Sequence, residues 1–220
     1  MSLETKDVAL VAIQVISLLI ATIGHEIMHG LVALMYGDDT ARKAGRLSVN
    51  PIPHIDLLGT IILPLILIVS GSPVMFGYAK PVPVDMSVVY RNGGYRACSF
   101  VALGGVFFNF FLAFCCVLIL KISVNAGLVD MESLVAGFFL ILVFVNVVIG
   151  VFNLLPIPPL DGSKALVYIS LMLKSNTLAL LYDRVKSYGI IVILLMLLFP
   201  PTREGLLSIM RLTIAVFLKI

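Results

Sequence analysis

Three ionisable residues stand together in an otherwise apolar stretch near the start of the chain: His25, Glu26 and His29. Residues four apart lie on one face of a helix, so both imidazoles can reach a single ion. This His-Glu-x-x-His pattern is typical of zinc sites in which the glutamate takes a proton from a metal-activated water. The alternative is a pair of core histidines with a structural acid. Ionisable groups in apolar segments are costly and usually functional, which favours the metal site.

Two histidines leave such a site short of a third protein ligand, and Asp161 is the candidate. It lies near the end of the run Asn-Leu-Leu-Pro-Ile-Pro-Pro-Leu-Asp-Gly, residues 153–162. Three prolines forbid a regular helix there, and an opened backbone can aim a carboxylate inward. The alternative is an ordinary turn, with Asp161 capping a helix that begins at Gly162 or Ser163. The two interpretations are compatible.

The composition indicates the surroundings of these residues. Of 220 residues, 60% are hydrophobic and only 12% are charged, and the mean hydropathy is +1.13. A soluble domain carries about 25% charged residues, so the chain is neither a soluble globular enzyme nor disordered. Its 15 basic residues are scattered, which excludes a nucleic-acid binder. The three cysteines (Cys98, Cys115 and Cys116) form neither a disulfide framework nor a metal-spaced pair.

Long stretches without Asp, Glu, Lys, Arg or His mark the candidate membrane segments, since about 20 apolar residues cross a bilayer. These are Val8–Gly24, Leu57–Ala79, Ala97–Leu120, Ser133–Leu160 and Ser187–Thr202. The first reaches that length only by continuing through the histidine motif. The chain is therefore predicted to be an all-α polytopic membrane protein with about five to six membrane segments. We expect one domain, 1–220, with a core over about 8–174, C-terminal membrane segments over about 187–220, and short extended or β segments in cytosolic loops.

Charge in the loops predicts the orientation. Loops 37–56, 78–96 and 174–186 are basic, whereas 122–132 holds only acidic charges. The positive-inside rule places the basic loops in the cytosol and the acidic loop outside. Segment 57–79 then has two cytosolic flanks, and Pro64 near its middle favours a re-entrant hairpin. A simple span with the second basic loop outside is the alternative.

Residues 25–29 together with 153–162 resemble the site-2 protease family of intramembrane zinc metalloproteases, in the compact branch that lacks a PDZ domain. Both motifs occur in the family's order with membrane segments between them, and the resemblance covers roughly residues 21–174. It implies one Zn²⁺ per chain, bound by His25, His29 and Asp161. It also implies that Glu26 is the catalytic base.

A weaker motif, Gly-Val-Phe-Phe-Asn at residues 105–109, is similar to the family's GPxxN stretch, with Val106 in the place of proline. A buried asparagine in a membrane helix needs a hydrogen-bond partner. The amide of Asn109 is expected either to hold the substrate carbonyl or oxyanion, or to join two helices. Asn153 faces the same choice, and the resemblance favours a position beside the metal helix.

Residues 50–56 and 76–84 are also similar to segments of the compact branch. His54 is either a gate or extra ligand at the metal, or a loop histidine paired with Asp56. Alternating prolines make residues 79–84 extended, so they either pair with an unwound substrate or serve as a linker.

The resemblance implies hydrolysis of peptide bonds in transmembrane or membrane-anchored proteins. The partners are then such a substrate and the lipid bilayer, without nucleic acid, in a prokaryotic cytoplasmic membrane. One alternative is a metal-ion transporter using the same ligands, although the outer half of the first helix offers only Gln14, Ser17 and Thr22 as a polar path. The other is an inactive homologue acting as a membrane scaffold, which would have no need of Glu26.

Overall fold

The computed structural model describes residues 3–62 and 79–219, and this part of the chain is helical, with no β-strand. Its α-helices are α1 (Leu3–Met35), α2 (Thr40–Lys43), α3 (Met86–Asn125), α4 (Leu134–Asn153), α5 (Asp161–Met172), α6 (Thr177–Val185), α7 (Gly189–Leu198) and α8 (Pro200–Lys219). Short 3₁₀ turns cover Ile52–His54 and Lys186–Tyr188, and a π-helical stretch covers Leu57–Ile62. The all-α prediction is confirmed over the described ranges. The loops described there contain no β segment, and residues 79–85 have no regular secondary structure.

The five to six membrane segments expected are not confirmed within the described residues, which omit 63–78. Within the described residues, three helices are long and apolar enough to cross a membrane: Val8–Met35 of α1, α3 and α4. The C-terminal pair, 177–198 and 200–219, makes a fourth only if it is one broken span, because it bends by 87°. Helix α7 alone, at about 15 Å, is too short to cross a core of about 30 Å.

The central helix of the bundle is α3, which packs against α1, α4 and α5. Small residues let the helices approach closely. One buried cluster joins α1 to α3 and consists of Ala33, Val89, Ala97, Cys98 and Val101. A second joins α3, α4 and α8 and consists of Ala113, Cys116, Val117, Leu142, Val143, Val147, Val151, Leu206 and Met210. The first cluster fixes α1 against α3 just after the histidine motif, at Ala33.

Helix α3 has a defined start and an internal break. The Asp85 carboxylate caps its N-terminus by accepting the backbone N–H groups of Ser87 and Val88, and the bond from Ser87 above all holds the pKa of Asp85 below its usual range. At Gly94 the backbone turns to φ 63° and ψ −164°, a conformation that glycine adopts without strain. The long membrane helix therefore runs from about Tyr95 onwards.

The connection between α1 and α3 begins and ends on the same side of the bundle. Asn92 Nδ2 donates to Tyr36 O (2.7 Å), and the Asp85 backbone N–H donates to Asp38 Oδ2 (2.7 Å). The C-terminal end of α1 therefore meets the N-terminal end of α3, and the two helices are antiparallel. The hairpin predicted for 57–79 lies largely outside the described residues, which omit 63–78. The orientation predicted from loop charge stays a prediction.

Candidate metal centre

The three predicted ligands meet at one point. His25 Nε2 lies 2.9 Å and His29 Nε2 lies 3.1 Å from Asp161 Oδ2, and the two imidazole nitrogens are 3.1 Å apart. His25 and Asp161 are each only 5% exposed. Helix α1 supplies both histidines from successive turns of one face, and the first residue of α5 supplies the carboxylate. No other group of three potential ligands was found among the described residues.

The second nitrogen of each ring faces an oxygen. His29 Nδ1 is 2.7 Å from the backbone oxygen of Val101, and His25 Nδ1 is 2.7 Å from Asn109 Oδ1. A carbonyl oxygen can only accept, so Nδ1 of His29 carries a proton, and in the neutral ring its Nε2 then keeps a lone pair. His25 has the same tautomer, because the amide nitrogen of Asn109 donates to two other oxygens and its amide oxygen therefore faces His25 Nδ1. Two lone pairs and a carboxylate oxygen therefore converge.

This donor set fits zinc. In a tetrahedral site with ligands at about 2.0–2.1 Å, the ligand atoms are about 3.3 Å apart, close to the separations between the two Nε2 atoms and Oδ2. Two imidazoles and one carboxylate are also a common protein ligand set in zinc peptidases, and they leave a fourth position for water. The Nδ1 atom of each ring faces an oxygen on the side away from Asp161, and such a contact is usual for ligating histidines because it fixes the ring orientation.

Asp161 is placed by the turn before α5 and by its own helix. The helix begins at Asp161, with Leu160 as its N-cap and no capping bond from a side chain. The carboxylate does not act as the capping group of the alternative interpretation. Its Oδ2 faces the histidines, and its Oδ1 accepts from Lys164 Nζ at 3.0 Å. The positive end of the helix dipole also favours a carboxylate at this position.

Two glycines permit close approaches around the ligands. A Cβ at Gly162 would lie 2.2 Å from Leu154 O, so the backbone of the proline-rich turn passes directly against the residue after Asp161. A Cβ at Gly105 would lie 2.5 Å from three ring atoms of His25. The first and last residues of the Gly-Val-Phe-Phe-Asn motif thus both face His25, and Val106 continues the helix without a proline.

Glu26 lies beside residues 79–85, the segment that precedes α3. Its Oε2 accepts the backbone N–H of Val82 at 2.9 Å. The Val82 side chain is buried and packs on α1 at Gly30, where a Cβ would lie 3.0 Å from Val82 Cγ1. Residues 79–85 therefore lie along α1 next to Glu26, the predicted base.

The two asparagines of interest differ in their contacts. Asn109 is fully buried and contacts His25, Ala21 and Asn146. Asn153 is half-buried and donates to Ile149 O of its own helix at 3.0 Å. The described contacts therefore place Asn109, rather than Asn153, against the metal helix.

His54 lies apart from this group. It is 2% exposed, and its Nε2 lies 2.9 Å from Ser48 O. The potential metal ligands of the described residues do not include it. The structure therefore lends no support to its role as an extra ligand.

Three further neighbours of the site were not among the predicted residues: Lys164, Val82 and Asn146. A polar residue in the apolar α4 sequence was a signal that could have indicated Asn146. Lys164 stands three residues after Asp161, which is ion-pair spacing on a helix. The Val82 contact is made by a backbone N–H and leaves no trace in the side-chain pattern.

Comparison with known proteins gives two matches. The family model described as Peptidase family M50 matches residues 122–199, which include the proline-rich turn and Asp161. A Bacillus subtilis (strain 168) protein named "Putative zinc metalloprotease YwhC" is 35% identical over 214 residues, covering 92% of this chain and 91% of the relative. No solved structure matches.

The match to the relative extends over nearly the whole of both chains and so includes both halves of the candidate centre. The family model covers the half that holds Asp161, and neither match brings in a PDZ domain. The predicted resemblance is confirmed: the chain belongs to peptidase family M50, the site-2 protease family.

Proposed function

We propose that this protein is an intramembrane zinc metalloprotease that hydrolyses peptide bonds of transmembrane or membrane-anchored proteins, with one Zn²⁺ per chain. The observation that carries the proposal is the convergence of His25, His29 and Asp161, drawn from two distant parts of the chain, with Glu26 next to the first ligand. The membership of a metallopeptidase family supports the same chemistry.

His25, His29 and Asp161 would hold the zinc. When bound, zinc makes a water acidic enough to lose its proton near neutral pH and polarises the scissile carbonyl. The protein's contribution is a set of ligands whose imidazole rings are oriented by oxygen atoms of α3. Burial of His25 and Asp161 also keeps competing water away from two of the three positions.

Glu26 would accept the proton of the attacking water and pass it to the leaving amine. The N–H of Val82 fixes Oε2, and Oε1 has no hydrogen-bond partner within the described part of the chain. One carboxylate oxygen is thus anchored while the other remains able to take the proton. An anchored carboxylate needs less reorganisation when the proton moves.

The proposed reaction requires that both water and an unwound substrate reach the site. His25 is ten residues before the end of α1, or about 15 Å along the helix axis. Water would enter from the end of α1 where the basic loop begins, which we place in the cytosol of a prokaryotic cell. A substrate helix must unwind there, because a helical peptide bond is shielded by its own hydrogen bonds, and helix-breaking residues lower that cost.

The test is cleavage in proteoliposomes by the wild type, Glu26→Gln and Asp161→Ala, with Gly137→Ala as control. The probe is a labelled single-span peptide with a Gly-Pro pair near one end of its apolar stretch, and products are identified by mass spectrometry. We expect about one zinc per wild-type chain and its loss in Asp161→Ala. Glu26→Gln should keep zinc but cleave about 10²–10⁴-fold more slowly. The control should match the wild type, since a Cβ at Gly137 meets open space.

The same preparation tests the two alternatives. Zinc uptake into the vesicles that persists in Glu26→Gln would indicate a transporter. A scaffold would be indicated if the wild type binds zinc but, like Glu26→Gln, cleaves none of a panel of such peptides. A wild type that binds no zinc when zinc is supplied throughout purification would refute the proposal.

A further inference from the structure

Behind His25, a chain of hydrogen bonds runs through three helices. Asn146 Nδ2 on α4 donates to Leu142 O at 2.8 Å. Asn109 Nδ2 on α3 donates to Asn146 Oδ1 at 2.9 Å and to Ala21 O of α1 at 3.1 Å. Asn109 Oδ1 then faces His25 Nδ1 at 2.7 Å. Both asparagine side chains are 0% exposed, so water does not complete or replace these bonds.

The contacts allow one orientation of each amide. Leu142 O is a backbone acceptor, so the Asn146 nitrogen must face it and the Asn146 oxygen must face Asn109. The Asn109 nitrogen then has two acceptors for its two hydrogens, Asn146 Oδ1 and Ala21 O. A flipped Asn109 would set its oxygen against both of these oxygens. Its oxygen is therefore directed at His25, and His25 Nδ1 must carry the hydrogen that it accepts.

We propose that Asn109 and Asn146 are positioning residues that fix the tautomer and ring orientation of His25, so that its Nε2 lone pair points at the metal. The inference rests on the proposed zinc site. His29 receives the same orientation from the backbone oxygen of Val101, which no substitution removes. His25 alone depends on side chains for it. Because both amide hydrogens of Asn109 are engaged within the bundle, the same amide is not free to hold a substrate carbonyl or oxyanion.

Loss of such an outer partner of a ligating histidine typically weakens metal binding by about 10–100-fold. In Asn109→Leu, His25 loses its acceptor, and we expect the zinc Kd to rise within that range. In Asn146→Leu, Asn109 loses one acceptor and is freer to flip, so a smaller rise is expected. Asn109→Asp keeps an oxygen facing Nδ1 and, as the protonated acid, can donate its hydrogen to Asn146 Oδ1, so it should bind zinc more tightly than Asn109→Leu. Ser17→Ala serves as control, because its buried hydroxyl has no partner in the described part of the chain and lies two turns from His25.

The experiment measures zinc Kd by competition with a chromogenic chelator, and the visible spectrum of the Co²⁺-substituted protein, for the full chain in detergent. Helix content and thermal unfolding are followed by circular dichroism. Cleavage of the single-span probe peptide is then measured at saturating zinc. A positioning role predicts weaker zinc binding and an altered Co²⁺ spectrum in Asn109→Leu, with cleavage largely recovered once the site is filled.

Asn109→Leu that binds zinc as the wild type does, yet cleaves poorly at saturating zinc, would overturn the inference and assign Asn109 to the substrate instead. Unchanged zinc binding together with unchanged cleavage would overturn it as well, while leaving the protease proposal intact. If Asn109→Leu does not fold, Asn146→Leu and Asn109→Asp decide: zinc affinities equal to that of Ser17→Ala in both would contradict the hydrogen-bond chain. Absence of zinc binding by the wild type would overturn both proposals.

Discussion

At the scale of single residues, the Asp161 carboxylate divides its two oxygens between different tasks. Oδ2 faces both histidine nitrogens, and Oδ1 accepts from Lys164, whose side chain is 43% exposed. A carboxylate held at one oxygen presents the other in a fixed direction, which a metal ligand requires. The lysine is three residues along the same helix, so the pair moves with α5 as a unit.

Lys164→Met should therefore weaken zinc binding, by about tenfold, because it frees the carboxylate to rotate. The matched control is Lys186→Met, which breaks an exposed pair of the same spacing with Asp183 (2.8 Å), remote in sequence from the ligands. Zinc Kd by chelator competition is the measurement. Equal Kd values for the two variants would show that Lys164 does not orient the ligand.

At the scale of secondary-structure elements, α3 can lie against His25 only because residue 105 has no side chain. Gly105→Ala would place a methyl group 2.5 Å from three atoms of the His25 ring, a distance that real contacts do not reach. The ring or the helix must move, and a displacement of about 1 Å at a catalytic site can cost about 10²-fold in rate. We expect lower zinc occupancy and a fall in cleavage of about that size.

Gly137→Ala in α4 separates this clash from the ordinary effect of a methyl group on a membrane helix, because a Cβ there meets nothing within 4 Å. Zinc content and probe-peptide cleavage are compared for the two alanine variants. Comparable results would mean that the Gly105 contact does not position His25.

The segment before α3, residues 79–85, contacts the predicted base through the backbone N–H of Val82. Val82→Pro removes that donor, whereas Val82→Ala keeps it and removes most of the side chain. Hydrogen bonds to charged groups are worth about 1.5–3 kcal/mol, so loss of the bond should slow cleavage by about tenfold or more with zinc content unchanged. Cleavage rates at saturating zinc test this. A Val82→Ala variant as slow as Val82→Pro would attribute the effect to packing on Gly30 rather than to the N–H.

At the scale of the whole molecule, the antiparallel α1 and α3 place both ends of their connection on the same side. The positive-inside rule predicts that this side is cytosolic and that the acidic loop after α3 is outside. Single cysteines at Arg42 and Asp130, introduced after replacement of the three native cysteines, test the orientation. In intact cells a membrane-impermeant maleimide should label the cysteine at 130 but not the one at 42. The reverse pattern would invert the topology and move the water entry to the outer face.

The sequence alone predicted the helical membrane class and that His25, His29 and Asp161 would lie together as candidate ligands. It could do so because hydropathy, charge in loops and spacing within one helix are local properties. His25 and His29 lie on one face of α1 whatever the rest of the chain does. The prolines within residues 153–162 likewise indicate a break in the helix before Asp161. Tertiary packing also bears on the number of spans, since the last two helices form one span only if their 87° bend is a break within it.

Only the tertiary structure decided which distant groups surround the motif. The resemblance favoured Asn153 beside the metal helix and left two roles open for Asn109, yet the packing of α3 on α1 brings Asn109 against His25 while Asn153 bonds within α4. The contacts that Lys164, Asn146 and the Val82 N–H make around the site were likewise decided by the tertiary structure. Each acts across a helix–helix or helix–loop contact, and such contacts depend on shape and close approach, which no periodicity in the sequence encodes.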